Sequence, residues 1–360
     1  MLIIYTTNRH PQAPLAPMFF QLNDQEFEFT SDVNRDDINI LLFDFYKLPD
    51  ADLVKNKIIL GLVLFHDYND HAKNLVSDLH NYPDNFYFVT NCIDHTVSHP
   101  NILHVDFVFN RAKAYYSQYP FTPGTYRWYH SGLGSYVVPE IKRGIDKSKV
   151  FLAPNKTHKN YAARKLKYRK KLVDFLVKNF KDIGFIGNPD DSPEFVLYSQ
   201  NSAPDLTVLP PDFTAVDPTN YNLGHYSPPH VHYYNESFIS IYGESLETGT
   251  SVLVTEKTYD PLIKGHFILP FSTRGLIAHL KTMEFKFPTF IDYSYDDIAD
   301  DDLRFDAYIN EVSRLLNLRS DHWPTEYFNN REIINHNRQL FWKRDYNKID
   351  FSAIIKQHKT

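Results

Sequence analysis

Two acidic residues and a lysine stand where an apolar strand should give way to a helix. The run Ser240-Ile241-Tyr242-Gly243-Glu244-Ser245 is followed by Leu253-Val254-Thr255-Glu256-Lys257-Thr258-Tyr259-Asp260-Pro261-Leu262-Ile263. Carboxylates accept hydrogen bonds from ribose hydroxyls, and a lysine beside a helix N-terminus attracts a diphosphate. Those residue types in that order suit the chemistry of a nucleotide-sugar site. An exposed charged pair that merely opens a helix is the competing reading of Glu256 and Lys257.

The elements that must position these residues follow from the apolar pattern. Phe238 to Tyr242 predicts a strand that ends at Glu244, and Val252 to Val254 predicts a second, shorter one. Thr255 can cap a helix begun by Glu256 and Lys257, with Leu262 and Ile263 on its inward face. Gly265 should end that helix, and Phe267 to Phe271 reads as the returning strand. In an open α/β sheet ligands sit beyond the carboxyl ends of the strands, which is where both acidic groups fall.

The first part of the chain alternates short apolar runs with polar or amphipathic connections. Leu2 to Tyr5, Ile38 to Phe45, Ile58 to Phe65, Phe86 to Thr90 and Ile102 to Val108 read as buried strands, and Ala72 to Leu79 as a helix. Such alternation predicts an α/β fold with a largely parallel sheet covered on both sides. A stretch from Pro120 to Pro139 separates this region from a second unit, which opens with a strand over Val150 to Asn155. A helix over Tyr161 to Asn179 follows, with Leu166, Leu172, Val173, Leu176 and Val177 available for its buried stripe. Eight prolines between 187 and 236, from Pro189 to Pro229, break any long element there. An acidic stretch, Asp292 to Asp306, leads to a helix near Ala307 to Leu316, and Trp323 to Trp342 reads as a helical tail. The expected division is 1–145, 146–320 and a tail, 321–360, packing back on the first domain.

The run Ser240 to Ser245, then Val254-Thr255-Glu256-Lys257-Thr258-Tyr259, a helix and Phe267-Ile268-Leu269-Pro270-Phe271 resembles the donor-binding core of the fucosyltransferase-like glycosyltransferases, closest to their bacterial and viral branch. Met283 to Phe287 and Ser294 to Ile298 continue the likeness, which covers roughly Phe238 to Leu316. A weaker match joins Phe151-Leu152, Asn155, Arg169 and Leu172. The resemblance implies a GT-B fold of two Rossmann-like domains facing across a cleft, and inverting transfer. It implies that Glu256 holds the ribose and Lys257 the diphosphate, with Glu244 and Tyr242 near the base or ribose. Arg169 becomes the diphosphate-neutralising guanidinium, a permanently charged bidentate group, with Arg164 as its rival. The chain departs from the family at Glu244-Ser245, where many members have Glu-Asn, and at Ser272-Thr273-Arg274-Gly275, so fucose is not implied as the donor. Arg274 is either a further phosphate contact or a surface loop residue.

Inverting transfer needs a base for the acceptor hydroxyl and positive charge for the departing nucleoside diphosphate. The base is expected from the N-terminal domain: Asp67 and Asp94 each follow a predicted strand, and either could instead cap a loop. His66, His95, Asn91 and Cys92 share those edges, and His130 could border the cleft. His225, His230 and His232 cluster among prolines without an acidic or cysteine partner at metal-site spacing, so no metal and no cofactor beyond the donor substrate is expected. The expected partners are a nucleotide sugar and a saccharide acceptor.

Bulk properties bound the remaining classes. The 360 residues allow two cores, and an aromatic share of 16%, with 28 Phe and 25 Tyr, fits large cores and ring-lined clefts. A net charge of -6 argues against non-specific nucleic-acid binding, although the basic run Lys156 to Lys171 keeps alive an enzyme that glycosylates modified DNA. A non-catalytic nucleotide-sugar or glycan-binding protein is the other alternative. A single Cys92 excludes an internal disulfide, and the apolar run at Met1 to Thr7 is too short for a signal peptide or membrane span. A cytoplasmic location is expected.

Overall fold

The computed structural model describes residues 2–6, 27–30, 40–44, 58–63, 84–90, 99–104, 141–155, 167–187, 231–343, 354 and 356. The chain forms two compact units, Met1–Ala114 with Thr219–Asn222 and Asp345–Thr360, and Tyr115–Pro218 with Leu223–Arg344.

The first unit holds a six-stranded sheet of β1 (Leu2–Thr6), β2 (Phe27–Thr30), β3 (Ile40–Asp44), β4 (Ile58–Val63), β5 (Phe86–Thr90) and β6 (Ile102–His104). Their order is β2-β1-β3-β4-β5-β6, and every neighbouring pair is parallel. Parallel strands covered on both faces need apolar residues at every position, and β5 is buried from end to end. Asn101 ties the entry to β5 down by donating Nδ2 to the carbonyls of Asp84 and Phe86 at 2.9 and 2.8 Å. The strand β2 was not expected. Its Glu28, with Glu26 just before it, breaks the apolar run, which an edge position tolerates. The helix expected over 72–79 lies outside the described residues.

The second unit is built on β7 (Phe151–Ala153), β8 (Gly184–Ile186), β9 (Ile239–Gly243) and β10 (Phe267–Phe271), all parallel in the order β10-β9-β7-β8. Around it run α1 (Lys167–Phe180), α2 (Val231–Asn235), α3 (Glu256–Ile263), α4 (Leu276–Thr282), α5 (Asp301–Leu316), α6 (His322–Asn329) and α7 (Arg331–Lys343). Helix α1 connects β7 to β8, burying Tyr168, Arg169, Leu172, Val173 and Leu176. Helix α3 connects β9 to β10. It ends in a Schellman turn: Gly265, at φ 81°, donates to Leu262, and His266 donates to Pro261. A two-sided parallel sheet built from two strand–helix–strand units is an α/β fold.

Val252 to Val254 are buried as expected but form only an isolated bridge at Val252. Their neighbour Thr255 gives its N–H to the Glu244 carboxylate, so no ladder propagates through this stretch. The stretch expected as a tail divides between the two units. Helices α6 and α7 belong to the second unit: Trp323, Tyr327 and Ile334 join its core, and Arg338 Nε caps the carbonyl of Ile263 at the end of α3 at 3.1 Å. Residues Asp345–Thr360 group with the first unit.

The edge strand β10 explains part of the tyrosine content. Tyr293, Tyr308 and Tyr295 donate their hydroxyls to the carbonyls of Ile268, Leu269 and Pro270 at 2.9, 3.1 and 2.8 Å. Pro270 has no N–H to offer a neighbouring strand, and Pro is tolerated in an edge strand for that reason. Among the described residues, no helix is long and apolar enough to cross a membrane.

A Cβ at Gly184 would lie 2.1–2.5 Å from the ring carbons of Phe151 on the adjacent strand. Gly184→Ala should destabilise the protein by about 3 kcal/mol in urea titration. Combined with Phe151→Leu, the total loss should fall short of the sum of the single changes. An unchanged unfolding midpoint for Gly184→Ala would refute the close packing.

Candidate functional site

In the order β10-β9-β7-β8 the chain first moves outward from β7 to β8, then returns to place β9 on the other side of β7. The carboxyl ends of β7 and β9 therefore form the switch point at which open α/β sheets hold ligands. Asn155 and Glu244 follow these two strands. Buried Asn155 accepts from the Gly243 N–H through Oδ1 at 2.9 Å and donates Nδ2 to the carbonyl of Ile241 at 3.3 Å. It supplies hydrogen bonds that the diverging strands can no longer give each other. Its amide is a strut between strands.

Glu244 is fully buried and its carboxylate is saturated. Oε1 accepts from the Thr255 N–H at 3.1 Å and the Thr258 hydroxyl at 2.5 Å; Oε2 accepts from the Thr255 hydroxyl at 2.6 Å and the Ser245 N–H at 3.0 Å. The side chain thus turns toward α3 and serves as an internal anion near that helix's N-terminus. Tyr242, also buried, donates its hydroxyl to Thr258 at 2.8 Å, forming a relay from Tyr242 through Thr258 to Glu244. Burial, reinforced by the charge of Glu244, holds the Tyr242 phenol well above its ordinary pKa. Neither side chain presents a polar group outward, whereas the family resemblance implied that both lie near the base or ribose.

Thr255 caps α3 as expected: its hydroxyl accepts from the Lys257 N–H at 3.3 Å while donating to Glu244. Glu256 is the first residue of α3, and its side chain lies outside what the structure describes. Lys257 is half-buried and donates Nζ to the Ser245 hydroxyl at 2.9 Å, bringing its ammonium over the loop that follows β9.

Arg169 reaches the same place from α1. Its Nη2 donates to the backbone carbonyl of Glu244 at 2.6 Å, so the strand end fixes the guanidinium. Gly243 permits this approach, since a Cβ there would meet Glu247 Oε1 at 3.0 Å and Arg169 Cβ and Cγ at 3.4 and 3.5 Å. The structure therefore brings together Asn155, Arg169, Tyr242, Glu244 and Lys257, and it sets the backbone of Glu256 beside them. Arg274 is exposed in the turn between β10 and α4. Asp67, Asp94, His66, His95, Asn91, Cys92, His130, Arg164, His225 and His230 lie outside the described residues, as does the side chain of His232.

Two residues of this region were not picked out from the sequence. Buried Glu247 accepts the Tyr168 N–H on Oε2 at 3.0 Å, capping the start of α1 just before Arg169. Burial pushes its carboxyl up to about 7, against the opposing charge of Arg169. Buried Arg304 of α5 gathers the carbonyls of Glu247, Ser272 and Ile298 at 3.1, 3.2 and 3.0 Å, and bonds Asp301 Oδ1 at 2.5 Å. It locks the loops after β9 and β10 to each other. Their partners lie 79 residues from Glu247, and 57 and 32 residues from Arg304, so no local spacing could reveal them.

No protein family description and no curated protein sequence matches this chain. Among solved structures, a crystal structure of an alpha1,3-fucosyltransferase is similar at 10% sequence identity, over 100% of this chain and 89% of that one, with a TM-score of 0.46. At that identity and TM-score the likeness carries neither an activity nor a residue role over to this chain.

Glu244→Ala should cost about 3 kcal/mol or more in equilibrium denaturation, because it strands the buried Thr255 N–H, the buried hydroxyls of Thr255 and Thr258, and the part-buried Ser245 N–H. Arg274→Ala should stay within about 0.5 kcal/mol of the parent. Equal losses for the two would refute the assigned roles.

Glu247 binds its proton more tightly folded than unfolded, so its contribution is fully present below its unfolded pKa and is lost as pH rises through about 7. Glu247→Gln should therefore be more stable than the parent at pH 8, by on the order of 2 kcal/mol, with the gap closing near pH 5. Thermal unfolding across that range measures it; a gap independent of pH would contradict the burial argument.

Proposed function

We propose that the protein is a glycosyltransferase that moves a sugar from a nucleoside-diphosphate sugar to a hydroxyl of a saccharide acceptor, with the GT-B architecture of the fucosyltransferase-like enzymes. The observation that carries this reading is the convergence of two cations at the switch point. The Arg169 guanidinium is fixed on the carbonyl of Glu244, and the Lys257 ammonium lies on Ser245 beside the N-terminus of α3. A departing diphosphate needs positive charge at a preorganised place, and a guanidinium held by a strand end loses little freedom on receiving it.

In this reading Arg169, Lys257 and the N-terminal turn of α3 neutralise the charge that grows on the leaving diphosphate. Glu256 accepts from the ribose hydroxyls. Asn155, Tyr242 and Glu244 hold the strand ends and α3 in register and make no donor contact of their own, which narrows the role that the sequence pattern suggested for Glu244 and Tyr242. Arg274, exposed, is at most an outer phosphate contact. The base is assigned to Asp67 or Asp94, the carboxylates that follow β4 and β5. It removes the proton of the acceptor hydroxyl as that oxygen attacks the anomeric carbon. The bond to the diphosphate breaks on the opposite face, which inverts the centre. The scheme uses no metal and no cofactor beyond the donor itself.

A thermal-shift screen with GDP, UDP, CDP and dTDP should find a base-specific stabilisation, since a ligand that binds only the native state raises its apparent stability. Folded Arg169→Ala and Lys257→Ala variants should each bind the selected nucleotide about tenfold to a hundredfold more weakly. Asp67→Asn or Asp94→Asn should abolish transfer from the matching nucleotide sugar while leaving donor binding intact. Undiminished nucleotide binding in both cation variants would sink the assignment.

A further inference from the structure

The loop after β9 leaves one electrostatic contact unfinished. Arg169 Nε and Glu247 Oε1 are both buried, and each lacks a hydrogen-bond partner. They face one another at 4.0 Å, beyond hydrogen-bond reach, although charge-assisted pairs of this kind ordinarily close to about 2.7–2.9 Å. Buried polar groups are seldom left unmet, because each costs desolvation with no return. Both ions are anchored elsewhere: Nη2 of Arg169 on the Glu244 carbonyl, and Oε2 of Glu247 on the Tyr168 N–H. The geometry is that of a guanidinium set in position and only partly neutralised. An incoming anion can meet the guanidinium, and a proton can meet the carboxylate.

We propose that Glu247 is the positioning residue for Arg169 and that it takes up a proton as a nucleotide diphosphate binds. This rests on the reading of Arg169 as the diphosphate-binding cation. The balance is one proton from solvent onto each Glu247 that is ionised before the diphosphate binds, so uptake rises toward one per site as pH passes about 7 and carboxylate and phosphate charge do not share Arg169. The groups facing Glu247 are Arg169 from α1, Lys257 from α3, and Arg304 and Tyr308 from α5. Arg304 serves the backbone carbonyl of Glu247 and Asp301, and the Lys257 ammonium is bonded to Ser245, so Arg169, 4.0 Å away, is the cation that Glu247 chiefly neutralises. Burial already raises the Glu247 carboxyl to about 7, and a phosphate arriving on Arg169 removes the charge that opposes this rise. Affinity should therefore be highest below neutrality and fall as Glu247 ionises.

The test is calorimetric titration of GDP and UDP from pH 6 to 8.5 into the full-length protein, Glu247→Gln and Arg169→Ala, each in two buffers of different ionisation enthalpy. Gln retains a side-chain oxygen for the Tyr168 N–H, so α1 stays capped. The nucleotide's own phosphate titration is common to all three proteins and cancels. The parent should lose about tenfold more affinity than Glu247→Gln between pH 6 and 8, the scale of one like-charge interaction in a partly buried site. The parent should also take up protons on binding that Glu247→Gln does not. Identical pH slopes and proton counts in both, with Arg169→Ala still impaired, would overturn the proton linkage and leave Glu247 as a helix cap alone. Undiminished binding by Arg169→Ala, or no binding by the parent, would instead overturn the diphosphate-site reading itself, and this inference with it.

Discussion

The second unit depends on one buried carboxylate. Glu244 lies at the carboxyl end of β9, and its two oxygens accept four hydrogen bonds: two from the Ser245 and Thr255 N–H groups, two from the Thr255 and Thr258 hydroxyls. A buried charge is tolerable only when its lone pairs are met, and here they are met by the strand end and the first turn of α3 together. The carboxylate fixes the strand-to-helix transition, and with it the backbone of Glu256 and the starting point of Lys257.

That anchoring divides the polar residues by task. Among the inward-facing groups, Asn155 and Arg304 bond backbone groups where strands diverge and loops cross, while Tyr242 and Glu244 hold the first turn of α3. Arg169 is intermediate: it is nearly as buried, yet its Nη2 rests on a carbonyl and its Nε has no hydrogen-bond partner. An ion so placed costs free energy, because its desolvation is only partly offset by the contacts that meet it. Glu247 sets that cost by standing 4.0 Å away while capping the helix that carries Arg169.

The aromatic content serves the frame around this site. Tyrosine hydroxyls cover three successive carbonyls of β10, while rings of Tyr168, Phe271, Phe305 and Tyr308 pack between α1, β10 and α5. Tyrosine suits that boundary because one end of its side chain is apolar and the other needs a hydrogen-bond partner. The same rings hold α5 in place, which puts Arg304 over the two loops.

Much of the fold was legible in the amino-acid order. The strands β1, β3, β4, β5, β7, β9 and β10 stand out as short runs rich in Ile, Leu, Val and Phe, the pattern that parallel strands covered on both faces require. The stretch Val252 to Val254 shares that appearance with no more than a single bridge at Val252, and β2 hides behind its glutamates; burial writes itself into sequence more clearly than hydrogen bonding does. Thr255 and Gly265 marked the ends of α3, because capping and left-handed backbone are local requirements that one residue type satisfies. The sequence by itself therefore determined the α/β succession and set Lys257 at a strand-to-helix transition, while Arg169 stood out only through the family resemblance. Only the tertiary structure decided that the Glu244 carboxylate turns inward to α3 and that Glu247 and Arg304 govern the loops. Those outcomes depend on contacts between residues tens of positions apart, where close packing, rather than any local pattern, selects the partner.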